Sequence, residues 1–202
     1  MKLTGRPRQF DEDQALERAL ELFSKQGYAA TSMADLVEHT GVSKQSLYNT
    51  FGDKRSLFLA ALDRYCERSD AGLAGELARE EVSACGLRNL FRRLAKAMGG
   101  SDRHTCLVAT TSMEVGATDC EISARVRAHL DRTRSRFEKA IEGCVAKGDL
   151  THVKSPRAVA GHLTNTLNGL GVLRGGEGEQ AGVLHGQRAV GGEDVVGGAA
   201  VG

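Results

Sequence analysis

The sequence predicts an all-α fold on three observations. Apolar residues recur at three- and four-residue spacing through most of the chain, with no alternating strand pattern and no fixed-period repeat. Only two prolines occur, Pro7 and Pro156, so long stretches run without a helix breaker. Residues able to accept hydrogen bonds from a helix N-terminus stand just ahead of the apolar runs: Asp11, Ser32, Ser43, Asp53 and Ser155.

Residues 1–10 form a basic arm with Lys2, Arg6 and Arg8 and no acidic residue. Asp11 opens the first helix, with Gln14 three residues on in a capping-box arrangement. Leu16, Ala19, Leu20 and Phe23 form its apolar stripe, and Gly27 is placed to end it. Thr31 or Ser32 caps the next helix, and Ser32 with Asp35 fits the S-x-x-D form. Met33, Leu36 and Val37 give its buried face, and Gly41-Val42-Ser43 breaks it. Ser43 caps a short helix over 44–51, which Gly52-Asp53 ends. Asp53 then caps a long helix containing Leu57, Phe58, Ala61, Leu62 and Tyr65.

Further helices are expected over 83–98, 105–116 and 119–147, the last carrying Ile122, Val126, Leu130, Phe137, Ile141 and Val145. Another spans 156–173, with Pro156 in its first turn after the cap Ser155. From Gly175 to Gly202, ten of 28 residues are Gly. Each Gly disfavours helix by up to ~1 kcal/mol relative to Ala, so this tail reads either as a disordered end or as a coding alteration standing where an ordinary last helix would be. The expected division is therefore 1–55, 56–174 and a Gly-rich tail at 175–202.

Composition narrows the class. The chain has 202 residues, 41% hydrophobic and 26% charged, ordinary values for a soluble globular protein. Its formal net charge is +1, so any electrostatic footprint for a nucleic acid must be local. The cysteines are five, Cys66, Cys85, Cys106, Cys120 and Cys144, with no C-x-x-C pair, which points to a reduced, cytoplasmic setting. The N-terminus is polar and lacks the apolar region of a signal peptide, and no apolar run approaches the ~18 residues of a membrane span.

The short helix raises the functional question. Only Leu47 and Phe51 are spaced to face a core, while Lys44, Gln45, Ser46, Tyr48, Asn49 and Thr50 crowd the remaining surface. Helix, tight turn centred on a Gly, short helix is the helix-turn-helix arrangement, whose second helix enters the major groove of DNA. Gln45 and Asn49 are amides able to pair with base edges, Ser46 and Thr50 are small donors, and Lys44 and Tyr48 can reach phosphate or base. Thr31 or Ser32 at one helix start and Lys54 near another place backbone N–H groups and a cation where phosphates can sit. The arm residues Lys2, Arg6 and Arg8 could follow the backbone or enter a minor groove.

The run T-S-M-A-D-L-V-E-H-T-G-V-S-K-Q-S-L-Y-N-T-F-G-D-K-R-S-L-F resembles the DNA-binding signature of the TetR family of bacterial transcriptional repressors. The resemblance covers roughly residues 8–65 and rests on Thr31, Ala34-Asp35-Leu36, Gly41-Val42-Ser43, Leu47-Tyr48, Phe51 and Lys54. It implies an all-helical homodimer whose three-helix N-terminal domain binds a palindromic, double-stranded operator. It also implies a larger C-terminal domain that binds a small-molecule effector and releases DNA. Carried over by position, Ser43, Lys44, Gln45, Ser46, Tyr48 and Asn49 belong to the recognition region, and Thr31 and Lys54 to phosphate contacts. Residues 105–150 resemble, more weakly, one common type of C-terminal domain in the family. The family's last two helices usually form a four-helix dimer interface. The helix at 156–173 fits the first of these, and the Gly-rich tail departs from the second.

Helical phase selects Phe91, Leu94, Met98, Leu107, Met113 and Phe137 as effector-pocket linings. Cys106 opens an apolar helix and reads either as a small buried hydrophobe or as a thiol sensing oxidants or electrophiles. No cofactor or metal is expected: Gly169-x-Gly171 follows no strand, and His104 with Cys106 lacks further ligands at metal spacing. The alternative class is a helical ligand-binding protein or enzyme without DNA binding. Its mark would be a clustered acid–base set in the C-terminal half, and none stands out.

Overall fold

The computed structural model describes residues 10–79, 83–98, 106–115 and 118–186, except for the side chains of 97, 98 and 173–186. Eight helices and no strand occur among the described residues. They are α1 (Glu12–Gln26), α2 (Met33–Thr40), α3 (Lys44–Phe51), α4 (Lys54–Arg79), α5 (Ala84–Met98), α6 (Leu107–Glu114), α7 (Cys120–Ala146) and α8 (Pro156–Gly186).

Local chemistry sets the boundaries. Asp11 caps α1 by accepting from the Gln14 amide at 3.1 Å. At α2, Ser32 rather than Thr31 is the cap: Ser32 Oγ accepts from the Asp35 amide and the Asp35 carboxylate accepts from the Ser32 amide. The Thr31 hydroxyl turns inward instead and donates to Gly27 O at 2.6 Å. Asp53 Oδ1 accepts from the Ser56 amide at the start of α4. Asp119 Oδ1 accepts from the amides of Glu121 and Ile122 at the start of α7.

Two apolar clusters organise the helices. The first gathers Phe23, Leu36, Leu47, Phe58 and Leu62 from α1–α4 and continues into Leu107, Val108, Ile122 and Val126 of α6 and α7. Phe23 meets Phe58 edge-on with ring centres 5.0 Å apart, a favoured aromatic geometry. The second gathers Leu73, Leu90, Phe137, Ile141 and Ala160, where α4, α5, α7 and α8 meet. α4 thus serves both clusters, and the boundary expected between residues 55 and 56 falls inside it.

α8 departs from the expected helix over 156–173. Its backbone continues through Gly186, so the tail expected from Gly175 begins inside a helix. Extending an existing helix adds one hydrogen bond per residue without repeating the costly nucleation step, which offsets the poor helix propensity of Gly. Residues 187–202 of that tail, and the basic arm Lys2, Arg6 and Arg8, lie outside the described residues.

Candidate nucleic-acid interface and a C-terminal cavity

The turn between α2 and α3 is fixed from both sides. Gly41 ends α2 in the left-handed conformation at φ 70°, which costs a residue without Cβ little. The buried Thr40 hydroxyl donates to Leu36 O at 2.6 Å and accepts from the Val42 amide at 3.2 Å. Arg18 of α1 donates to Thr40 O at 3.1 Å, pinning the end of α2 to the first helix.

α3 then presents one face outward. Leu47 is its buried anchor, whereas Ser43, Lys44, Gln45, Tyr48 and Asn49 are exposed and Ser46 is half-buried. Ser43 Oγ accepts from the Ser46 amide at 3.2 Å and donates to Ser46 Oγ at 2.9 Å, so this pair shapes the first turn. Gln45 Nε2 donates to Asn49 Oδ1 at 2.8 Å. That leaves Gln45 Oε1 and Asn49 Nδ2, an acceptor beside a donor, which is the combination an adenine edge pairs with. The Lys44 ammonium lies 5.9 Å from the Tyr48 ring centre.

Two residues expected at phosphates, Thr31 and Lys54, also have partners within the protein. The Thr31 hydroxyl is buried against Gly27 O. Lys54 Nζ donates to Tyr28 O at 2.9 Å and Thr31 O at 2.8 Å, and sits 4.3 Å from the Tyr28 ring centre. A cation at a helix N-terminus needs a compensating partner. Lys54 finds it in two carbonyls and an aromatic face within the protein, so it shapes the α1–α2 loop.

The C-terminal half holds a cavity of about 330 Å³ between α4, α5, α7 and α8. Its walls are mostly apolar, with Leu73, Leu90, Leu94 and Leu167, and its polar edge includes Tyr65, His129 and Cys106. The Tyr65 hydroxyl donates to Cys106 Sγ at 3.4 Å. Burial, then the neighbouring Cys106 thiol, pushes the Tyr65 phenol well above its ordinary range. Burial also holds the Cys66 thiol at about 12, so Cys66 stays protonated. All five cysteines are free.

Of the expected linings, only Leu94 and Cys106 border this cavity. Phe137 and Leu107 are fully buried in the two cores, and Phe91 stacks on Phe137 with ring centres 5.7 Å apart. Met113 is 66% exposed. The Met98 side chain lies outside the described residues. Helical phase distinguishes inside from outside and does not distinguish core from cavity. His129 and Thr133 were missed, although they fall at core phase in a helix whose other inward positions are apolar. Two polar residues interrupting such a stripe was the signal available.

The fold and the exposed reading helix define a helix-turn-helix DNA-binding protein. Residues 15–61 match the family described as "Bacterial regulatory proteins, tetR family". The chain is 44% identical to the HTH-type transcriptional repressor ComR of Escherichia coli (strain K12) over 169 residues, 83% of this chain and 79% of that protein. It is 34% identical to the uncharacterized HTH-type transcriptional regulator YezE of Bacillus subtilis (strain 168), over 67% of this chain and 69% of that protein. Among solved structures it resembles a cysteine-substituted form of the TetR family transcriptional regulator CifR in complex with 26-base-pair operator DNA. That likeness has a TM-score of 0.74 and 28% identity, covering 92% of this chain and all of the other. The chain belongs to the TetR family of transcriptional regulators.

Proposed function

We propose that this regulator is a cytoplasmic repressor that binds a palindromic operator as a homodimer and is released by a small-molecule effector in the α4–α8 cavity. The exposed face of α3 carries the reading, with Gln45 and Asn49 toward base edges and Lys44 and Tyr48 toward phosphate or base. Ser43 and Ser46 shape the entry of the helix. Repression is supported by the name of the 44% identical relative, and operator binding by the CifR complex. In such a dimer the two α3 helices stand ~34–36 Å apart, one turn of DNA. The effector must bind the released state better than the DNA-bound one, since only differential affinity shifts the population.

Cys106 gives the effector class. Its thiol stands at the wall of a largely apolar cavity, so a reactive, mostly apolar molecule suits it. With a conjugated carbonyl, a bond forms between Sγ and the β-carbon, the carbon–carbon π bond breaks, and the thiol proton ends on the α-carbon. Footprinting with purified protein, followed by N-ethylmaleimide titration, tests the reading. Protection of a symmetric site and its loss on Cys106 modification are expected. Equal binding to random duplex at moderate salt refutes the repressor. Release that persists in Cys106→Ser refutes the thiol.

A further inference from the structure

α6 spans the distance from the cavity to the reading head. Its N-cap, Cys106, borders the cavity, and its last residue, Glu114, reaches the α1–α2 loop. Glu114 Oε2 accepts from the amides of Tyr28 at 2.8 Å and Ala29 at 3.2 Å. The approach is close enough that a Cβ on Gly27 would lie 1.9 Å from Glu114 Oε1. Lys54 grips the carbonyls of Tyr28 and Thr31 in the same loop. One short segment thus has its donors held by the regulatory half and its acceptors held by α4. Ser32, the cap of α2, follows directly, and α2 carries the turn that aims α3.

At the other end of α6, the Cys106 amide donates to Gly171 O of α8 at 3.4 Å. A Cβ at Gly171 would stand 2.4 Å from Cys106 Cβ. α6 is therefore in tight contact at both ends. In an eight-residue helix, a displacement at one end is transmitted along the axis to the other rather than absorbed.

We propose that Glu114 is a positioning residue that couples the cavity to the DNA-reading helix, by latching the Tyr28 and Ala29 amides so that movement of α6 at Cys106 re-aims α2 and α3. This rests on the repressor reading above and adds to it the residue through which release is transmitted. The latch needs two acceptor lone pairs facing two N–H groups. Both amides donate to the same oxygen, so Gln keeps an acceptor for them in its carbonyl oxygen, whereas Ala removes it.

The test uses the full chain and needs no effector. Gly171→Ala forces α6 to shift at Cys106, and Glu114→Ala cuts the latch. In the Glu114 background, Gly171→Ala is expected to change operator Kd by about fivefold or more, the scale of allosteric coupling. With Glu114→Ala present, the same change shrinks to less than about twofold, a non-additivity that marks energetic coupling. Equal changes in both backgrounds, or none in either, overturn the proposal. A second measurement covers the case in which Gly171→Ala fails to fold. Amide exchange at Tyr28 and Ala29 is expected to rise about tenfold in Glu114→Ala, the scale of one net hydrogen bond, with exchange in α1 unchanged. Unchanged exchange at those two amides removes the latch. The exchange reading involves no DNA, so it decides the latch even if the operator-binding reading fails.

Discussion

Arg55 and Asp119 form a two-point ion pair that joins the first turn of α4 to the start of α7, with Nε–Oδ2 at 2.7 Å and Nη2–Oδ1 at 3.0 Å. The same carboxylate caps α7, and Arg55 extends to Glu121 at 2.7 Å. The Arg55 guanidinium, then the Ile122 amide, hold the Asp119 carboxyl well below the usual carboxylate range. A carboxylate with a depressed folded pKa stabilises above its unfolded value, about 3.9, and loses that contribution as pH falls toward the folded pKa. Asp119→Asn keeps a capping oxygen and loses the charge. The melting temperature of this variant is expected to lie below that of the wild type by a constant gap from pH 8 to pH 5, and the gap should narrow below about pH 4. Both partners face solvent, so 1 M salt should narrow it as well. Thermal melts across pH and salt check this, and a gap indifferent to both removes the ion pair from the stability of the fold.

Lys54 separates shaping of the reading head from contact with DNA. Its ammonium is held by two backbone carbonyls and the Tyr28 ring. Lys54→Ala should therefore weaken operator binding by loosening the α1–α2 loop while leaving the slope of log K against log salt unchanged. Lys44 is exposed on α3, and Lys44→Ala should reduce the magnitude of that slope by about 0.9, one phosphate contact. Fluorescence anisotropy at several salt concentrations distinguishes the two. A slope lowered equally by both variants returns Lys54 to a phosphate.

The reading helix was legible because its signals are local. Ser43 as cap, the Gly41 turn, and the inward Leu47 and Phe51 are decided within a dozen residues, and each stands in the structure where the spacing puts it. The partners of Lys54 were not legible, because Tyr28 O and Thr31 O reach it only through the packing of α1 on α4. The cavity was legible only in part. A 3.6-residue period reports which face turns inward, and Phe137 and Leu94 share that property. Yet Phe137 fills a core, whereas Leu94 borders a space left between α5 and its neighbours. That distinction lies in how four helices meet and leaves no trace in any one of them. Glu114 is an extreme case, an exposed carboxylate whose two partners lie 86 and 85 residues away in sequence.

Phe137 and Met113 were read alike from sequence and should behave oppositely. Phe137 is fully buried, stacked on Phe91 and packed with Ile141 and Leu90. Phe137→Ala should cost about 3–5 kcal/mol, transfer and cavity terms together. Met113 is 66% exposed, and Met113→Ala should stay within about 0.5 kcal/mol of the parent. Urea denaturation at one protein concentration measures both. A small loss at Phe137 means that the second core tolerates a void and that this ring is available to an effector.

His129 should make the C-terminal half sensitive to mild acid. It is 5% exposed, and its Nδ1 lies 3.2 Å from Asp70 Oδ1 without forming a hydrogen bond of acceptable geometry. Asp70 is itself held by Arg132 at 2.6 Å and Arg136 at 2.8 Å, so its charge is largely offset. Burial first, then the two arginines, hold the imidazole below its ordinary pKa despite the opposing pull of Asp70. For a base with a depressed folded pKa the sign is the reverse of a paired histidine. Above about pH 6.5 both folded and unfolded chains carry the neutral ring and nothing is lost. As pH falls below that value the unfolded chain takes up a proton that the folded chain resists, so stability declines toward the folded pKa. Unfolding free energy should therefore drop between pH 7.5 and pH 5.5, and His129→Gln should flatten that drop while keeping a neutral polar side chain. Urea midpoints at matched ionic strength measure it. An equal drop in both proteins assigns the acid sensitivity to other groups and leaves His129 a neutral wall of the cavity.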